Sequence, residues 1–300
     1  MKVKKKTIDE SKGDKVFDVL MKIFLWASLI IVLYPLIYVV SASFSNPSDV
    51  FAGKVWLFPV NPTLVGYKAV FKNNQIITGF LNSIFYLFVG TGISLVLTVL
   101  AAYPLSRKEV VGRDFLSGIF VFSMMFSGGL IPTYIVVKEL GLINTRWAII
   151  LPSALSVWNV IMTKTYFKTT IPDELYEAAQ IDGCSDIGYL FKIILPLSTP
   201  ILAVMFLYYG VAYWNSYYSA LIYLTDEKLF PLQVILRNIL VMNNIDPTMI
   251  NDVEVIKRRQ GLVDVIKYSV IVVASLPVIC IYPFVQKYFV KGVMIGAVKG

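Results

Sequence analysis

Residues 23–44 form a run of 22 residues without a single charge. As a helix it is about 33 Å long, enough to cross the ~30 Å hydrocarbon core of a bilayer. In lipid every backbone polar group must be satisfied within the protein, which leaves a helix as the simplest form for such a run. Five further apolar segments follow, at about 79–105, 115–137, 147–167, 197–224 and 262–289. The expected fold class is therefore all-α: a polytopic membrane protein with six transmembrane helices at 23–300, behind a polar, lysine-rich N-terminal tail at 1–22. The composition agrees. With 57% hydrophobic and 15% charged residues and a mean hydropathy of +0.71, the chain is not an ordinary soluble domain. Pro35 is expected to kink the first span, and Pro152, Asn159 and Lys164 interrupt the fourth.

The net charge of +8 comes from lysines and arginines that flank the apolar runs rather than forming a stripe with stacking aromatics. That pattern points to topology signals and anionic-lipid contacts, and not to a nucleic-acid partner. With the N-terminus inside, sixteen of the 27 basic residues lie in inner segments. Both termini and the 170–196 loop are therefore expected on the cytoplasmic side of a prokaryotic cell membrane. The chain has no histidine, and its two cysteines, Cys184 and Cys280, are far apart, which argues against a metal cluster or a disulfide framework. The N-terminus lacks a small-residue cleavage site and reads as a tail followed by a first span.

The polar loop at 170–196 has its own helical grammar. Thr170 can cap, Pro172 suits a first turn, and Asp173 and Glu174 favour the positive end of the helix dipole. Leu175, Ala178, Ala179 and Asp182 recur at helical spacing, so the two alanines are expected to share a face with the leucine and admit a close neighbour. Gly183 suits the left-handed position after the helix, Ser185 can cap a second short helix, and Pro196 disturbs that helix as the apolar sequence resumes.

Glu177-Ala178-Ala179, then Gly183, then Ile193, Leu195 and Pro196 at fixed spacing resemble the EAA loop of ABC importer permeases, and Asp182-Gly183 resembles the sugar-importer version. Cys184 departs from that version, which usually has alanine there. The resemblance covers about 23–300 and extends to the polar segment at 45–78 and to the Val298-Lys299-Gly300 end; 126–152 resembles the oligosaccharide branch. It implies the type I importer permease fold and a coupling helix, carrying Glu177, Ala178, Ala179, Asp182, Gly183, Ile193, Leu195 and Pro196, that docks in a groove of an ATPase subunit. It also implies a second homologous permease, an ATPase dimer that binds ATP and Mg, an extracytoplasmic solute-binding protein and an oligosaccharide substrate. An amphipathic helix lying on the membrane surface is the alternative for the loop.

The chain itself has no Walker A sequence to cradle phosphates, and no histidine base or paired carboxylates in a plausible cleft. It is expected to be non-catalytic and to hold no cofactor. An ATP-independent secondary transporter or channel would need titratable groups at mid-membrane, and these spans offer almost none. Within the aromatic fifth span, Tyr213, Trp214 and Asn215 are substrate-pathway candidates, with Asn159 in the fourth. Rings can stack on sugar faces and amides can bond sugar hydroxyls; interfacial anchoring and helix packing are the alternative. Asn82 and Ser83 line a path or bond a neighbouring helix, and Gly90-Thr91-Gly92 suits close helix packing.

Overall fold

The structure, a computed structural model, describes residues 11–242 and 253–297. The first ten residues of the expected tail, 243–252 of the last long loop and the final 298–300 lie outside the described residues.

Every regular element among the described residues is helical: α1 (Lys12–Ser43), α2 (Pro47–Phe51), α3 (Val65–Lys72), α4 (Asn74–Phe85), α5 (Thr91–Ser106), α6 (Arg113–Met125), α7 (Leu130–Glu139), α8 (Trp147–Ile150), α9 (Val157–Thr170), α10 (Asp173–Ile181), α11 (Asp186–Tyr189), α12 (Leu195–Leu197), α13 (Thr199–Trp214), α14 (Tyr217–Tyr223), α15 (Leu232–Met242) and α16 (Val253–Ala297). Wide π turns at Tyr86–Gly90 and Leu190–Ile194 join α4 to α5 and α11 to α12.

Among the described residues three helical stretches are long and apolar enough to cross a membrane: Lys12–Ser43, Asn74–Ser106 and Gln260–Pro283. Three bent pairs bring the number of spans up to six. Each bend has a local cause. The pair α6 and α7 turns by 113° where Gly129 takes φ +85, a conformation costly for any residue with a Cβ. Pro152 sits in the tight turn Leu151–Ser153, after which the chain bends by 49° into α9. The third bend, 81°, falls at Ser198 between α12 and α13, flanked by Pro196 and Pro200. The apolar run at 197–224 is not one helix, because α13 stops at Trp214 and α14 starts at Tyr217. Pro35, by contrast, lies inside α1 without ending it.

The chain divides into two compact units. In the first, formed by Met1–Val70 with Asn244–Val272, the end of α1 meets the following loop and the start of α16. Ser45 Oγ accepts from the Val60 amide at 3.0 Å, and the carboxylate of Asp49 accepts from Asn61 at 2.8 Å and Lys54 at 3.2 Å. Those bonds hold the Asp49 carboxyl below its usual range, the Asn61 bond most of all. Gly66 lies against Ser269 and Val265, where a Cβ would come within 2.3 Å of the Ser269 hydroxyl.

The second unit, Phe71–Asn243 with Val273–Gly300, holds the largest core. Helix α5 lies along α9 and α13, and α4 lies along α15. Of the two glycines around Thr91, only Gly90 makes the expected close approach: a Cβ there would stand 2.7 Å from the Tyr213 ring, whereas Gly92 has open space. Asn82 and Ser83 tie the second span to the segment between α14 and α15 rather than lining a path. Asn82 donates to the carbonyls of Lys228 (2.7 Å) and Phe230 (3.1 Å), and Ser83 accepts from the Leu232 amide at 2.9 Å.

Candidate functional site

The 170–196 loop folds into a helix and a turn fixed to the second unit on one face. Thr170 does not cap it. Helix α9 runs on through Thr170, whose buried hydroxyl has no partner, and the residue before α10 is Pro172. The first turn is held instead by an exposed ion pair, Lys108 Nζ to Asp173 at 2.7 Å, which keeps the Asp173 carboxyl below its usual range. The far end has the expected glycine. Gly183 has φ +69, its amide donates to the Gln180 carbonyl at 3.0 Å, and the Cys184 amide donates to the Ala179 carbonyl at 2.8 Å. This pair of bonds is the Schellman closure, which requires a left-handed residue at that position. Ser185 then accepts from the Gly188 amide at 3.2 Å and caps α11.

The two alanines do not share a face, contrary to the sequence expectation. Adjacent positions stand about 100° apart on a helix, at 3.6 residues per turn. Ala179 is 6% exposed and packs into the core with Tyr176, while Ala178 lies outside with Glu177, Leu175 and Ile181. Asp182 and Gly183 are exposed as well; Ile193 and Leu195 are half-buried against the core, and Pro196 is exposed. The outer surface therefore offers apolar knobs, Leu175 and Ile181 and, past the turn, Ile187.

The inner face is organised by a residue that sequence reasoning missed. The guanidinium of Arg107, directly after α5, lies 5.7 Å from the ring centre of Tyr103 and 5.3 Å from those of Tyr176 and Tyr189. The Tyr176 hydroxyl donates to Asp186 Oδ1 at 2.9 Å, which raises its pKa, and the Tyr103 hydroxyl donates to the Asp186 carbonyl at 3.2 Å. An arginine at the end of an apolar run reads in sequence as a topology signal, so nothing marked it out.

The pathway candidates separate into two groups. Tyr213 and Asn215 line a cavity of about 180 Å³ together with Ser153, Tyr209, Ser216, Tyr218 and Ser219. It opens where the helix breaks between α13 and α14, and the buried Ser216 hydroxyl there has no partner. Hydroxyls, an amide and aromatic rings around one cavity can bond and stack on a sugar ring. Trp214 and Asn159 do not line it. Trp214 is 1% exposed, donates from Nε1 to the Ala274 carbonyl at 3.1 Å and meets Phe80 edge-on at 5.8 Å. Asn159 is buried on α9 at 6% exposure.

Known proteins share this architecture. Residues 9–295 match the family described as binding-protein-dependent transport system inner membrane component. The chain is 41% identical over 295 residues to protein LplC of Bacillus subtilis (strain 168), covering 98% of each. It is 43% identical over 288 residues to the polygalacturonan/rhamnogalacturonan transport system permease protein YtcP of the same organism, covering 96% of this chain and 99% of that one. A solved bacterial ABC transporter involved in the import of the acidic polysaccharide alginate contains a chain that superposes with a TM-score of 0.87 at 33% identity, over 94% of this chain and 100% of that one. The bent spans, the glycine-closed loop and these matches together place the chain in the family of binding-protein-dependent transport system inner membrane components, the permease subunits of ABC importers.

Proposed function

We propose that this chain is one permease of an ATP-driven oligosaccharide importer. It pairs with a second homologous permease, an ATPase dimer that binds ATP and Mg, and an extracytoplasmic solute-binding protein. The chain catalyses nothing itself and holds no cofactor. Both termini and α10 face the cytoplasm, in keeping with the distribution of basic residues. The observation that carries the proposal is the two-faced α10: anchored inward through Tyr176 and Ala179, it presents Leu175, Glu177, Ala178 and Ile181 outward. An exposed apolar helix face on a fixed frame suits a groove on a soluble partner.

The names of the relatives support a carbohydrate, and the cavity of hydroxyl, amide and aromatic groups suits one. None of the residues lining that cavity is acidic or basic, which disfavours an ion-coupled secondary transporter. The test is co-purification followed by reconstitution. The chain should bring down an ATPase subunit and a second permease, and the vesicles should hydrolyse ATP faster when binding protein and galacturonan oligosaccharides are added. The purified chain alone should hydrolyse none. Uptake driven by an ion gradient without ATP would overturn the proposal.

A further inference from the structure

Arg107 has surroundings that call for an explanation. It is 6% exposed, its Nε has no hydrogen-bond partner, and it takes part in none of the ion pairs among the described residues. A buried cation outside any ion pair is costly unless other groups stabilise it, and the Asp173 carboxylate acts on Arg107 only through space. Here ring faces do so, and a desolvated guanidinium between rings is strongly held. The rings belong to different elements: Tyr103 to α5, Tyr176 to α10 and Tyr189 to α11. Arg107 thus bolts the end of the second span to both halves of the loop.

The same helix reaches the cavity. Thr98 Oγ1 lies 2.8 Å from the Tyr209 hydroxyl and Ser94 Oγ 3.0 Å from the Tyr213 hydroxyl, and both tyrosines line the cavity. Ser94 is nine residues before Tyr103, about 14 Å along the helix axis. Pro104 falls within the last turn of α5, beyond Tyr103; from Ser94 to Tyr103 the helix holds no proline, and with a ring of the Arg107 cage at one end and hydrogen bonds at the other that stretch moves as a rod.

We infer that Arg107 is a positioning residue for transport, fixing α10 and α11 to α5 so that displacement of the loop reaches Tyr209 and Tyr213 at the cavity. The inference rests on α10 being the ATPase-docking helix. The test uses the complete permease–ATPase complex in liposomes, with Cys184→Ala and Cys280→Ala removing the native thiols and Ser219→Cys reporting from the cavity wall. The readout is the rate of N-ethylmaleimide labelling with ATP, Mg and vanadate divided by the rate without nucleotide. This ratio does not depend on how much complex folds. With Arg107 present the two rates should differ. Arg107→Gln should keep the ATPase bound and hydrolysing, yet show equal rates. Arg107→Lys, which retains the charge but not the planar stack, should fall between. If Arg107→Gln does not assemble, Tyr103→Leu, which removes one ring of the cage, is scored in the same way. A wild-type ratio in Arg107→Gln, or in Tyr103→Leu where that variant replaces it, overturns the inference, as does equal labelling with Arg107 intact. Ala178→Trp separates the two levels. If it leaves the ATPase attached and active, the docking-helix reading fails; if it detaches the ATPase while the Arg107 variants keep the wild-type ratio, only the rod inference fails.

Discussion

The Tyr213 hydroxyl donates to the Ile150 carbonyl at 3.1 Å, and one turn earlier the Tyr209 hydroxyl accepts from the Ser156 amide at 3.0 Å. These two bonds repair the break in the fourth span. Between α8 and α9 the chain leaves helical geometry, and in a bilayer the freed backbone groups need protein partners. The fifth span supplies them from two tyrosines, each steadied by a hydroxyl of α5. The same rings border the cavity, so structural and pathway roles coincide in Tyr209 and Tyr213.

Removing either hydroxyl leaves a buried backbone group unpaired. Tyr213→Phe and Tyr209→Phe should each cost about 1–3 kcal/mol. Thermal unfolding in detergent should show both below wild type, while Tyr208→Phe, at a more exposed position, stays level with it.

Trp214 acts through packing. Its replacement by alanine opens a hole beside Phe80 and removes the bond to Ala274. Trp214→Ala should cost about 3–5 kcal/mol and reduce the yield of folded chain. Uptake per folded complex should stay near wild type; a specific loss of transport at normal yield would return Trp214 to the substrate pathway.

At Gly183 the strain is conformational, because a Cβ there meets nothing within 4 Å. A β-carbon at φ +69 costs roughly 1–2 kcal/mol, less for asparagine. ATPase stimulation by the binding protein should therefore fall in the order Asn, Ala, Val, with membrane insertion unchanged in all three. Equal stimulation in Gly183→Asn and Gly183→Val would show that the turn does not aim α10.

The split between the alanines gives a sharper contrast. Ala178→Trp should insert and fold but lose ATPase association in a pull-down. Ala179→Trp should fail earlier, at folding, since overpacking a buried site costs about 1–3 kcal/mol or more. Glu177→Ala, removing one exposed side chain, should be milder than either.

The Lys108–Asp173 pair has a defined pH window. The Asp173 carboxyl is depressed, so its contribution is present above the unfolded value of about 4 and is lost as pH falls through the folded value. The Lys108 pKa is raised, so its contribution is present below about 10 and is lost as pH rises through its folded value. Both side chains are largely exposed, so salt screens the pair. Asp173→Asn should lower stability slightly at neutral pH and low salt, and the difference from wild type should vanish in molar salt and shrink as pH falls below about 4.

The sequence by itself determined the helical membrane-spanning class, the helix and turn at 173–183 and the left-handed glycine, because each rests on local physics. Those are a run of uncharged residues as long as a bilayer is thick, a glycine where a β-carbon is strained, and a spacing carried in consecutive residues. What only the tertiary structure decided was which neighbours meet across long stretches of chain. Ala178 and Ala179 look equivalent in sequence, yet the core takes one and leaves the other outside. Trp214 and Asn215 are adjacent, yet one is packed against Phe80 and the other opens on a cavity. Arg107 reads as one more basic residue after a span, and its three rings lie four, 69 and 82 positions away. Burial of a charge among aromatic faces depends on where distant helices pack, and no local pattern encodes that.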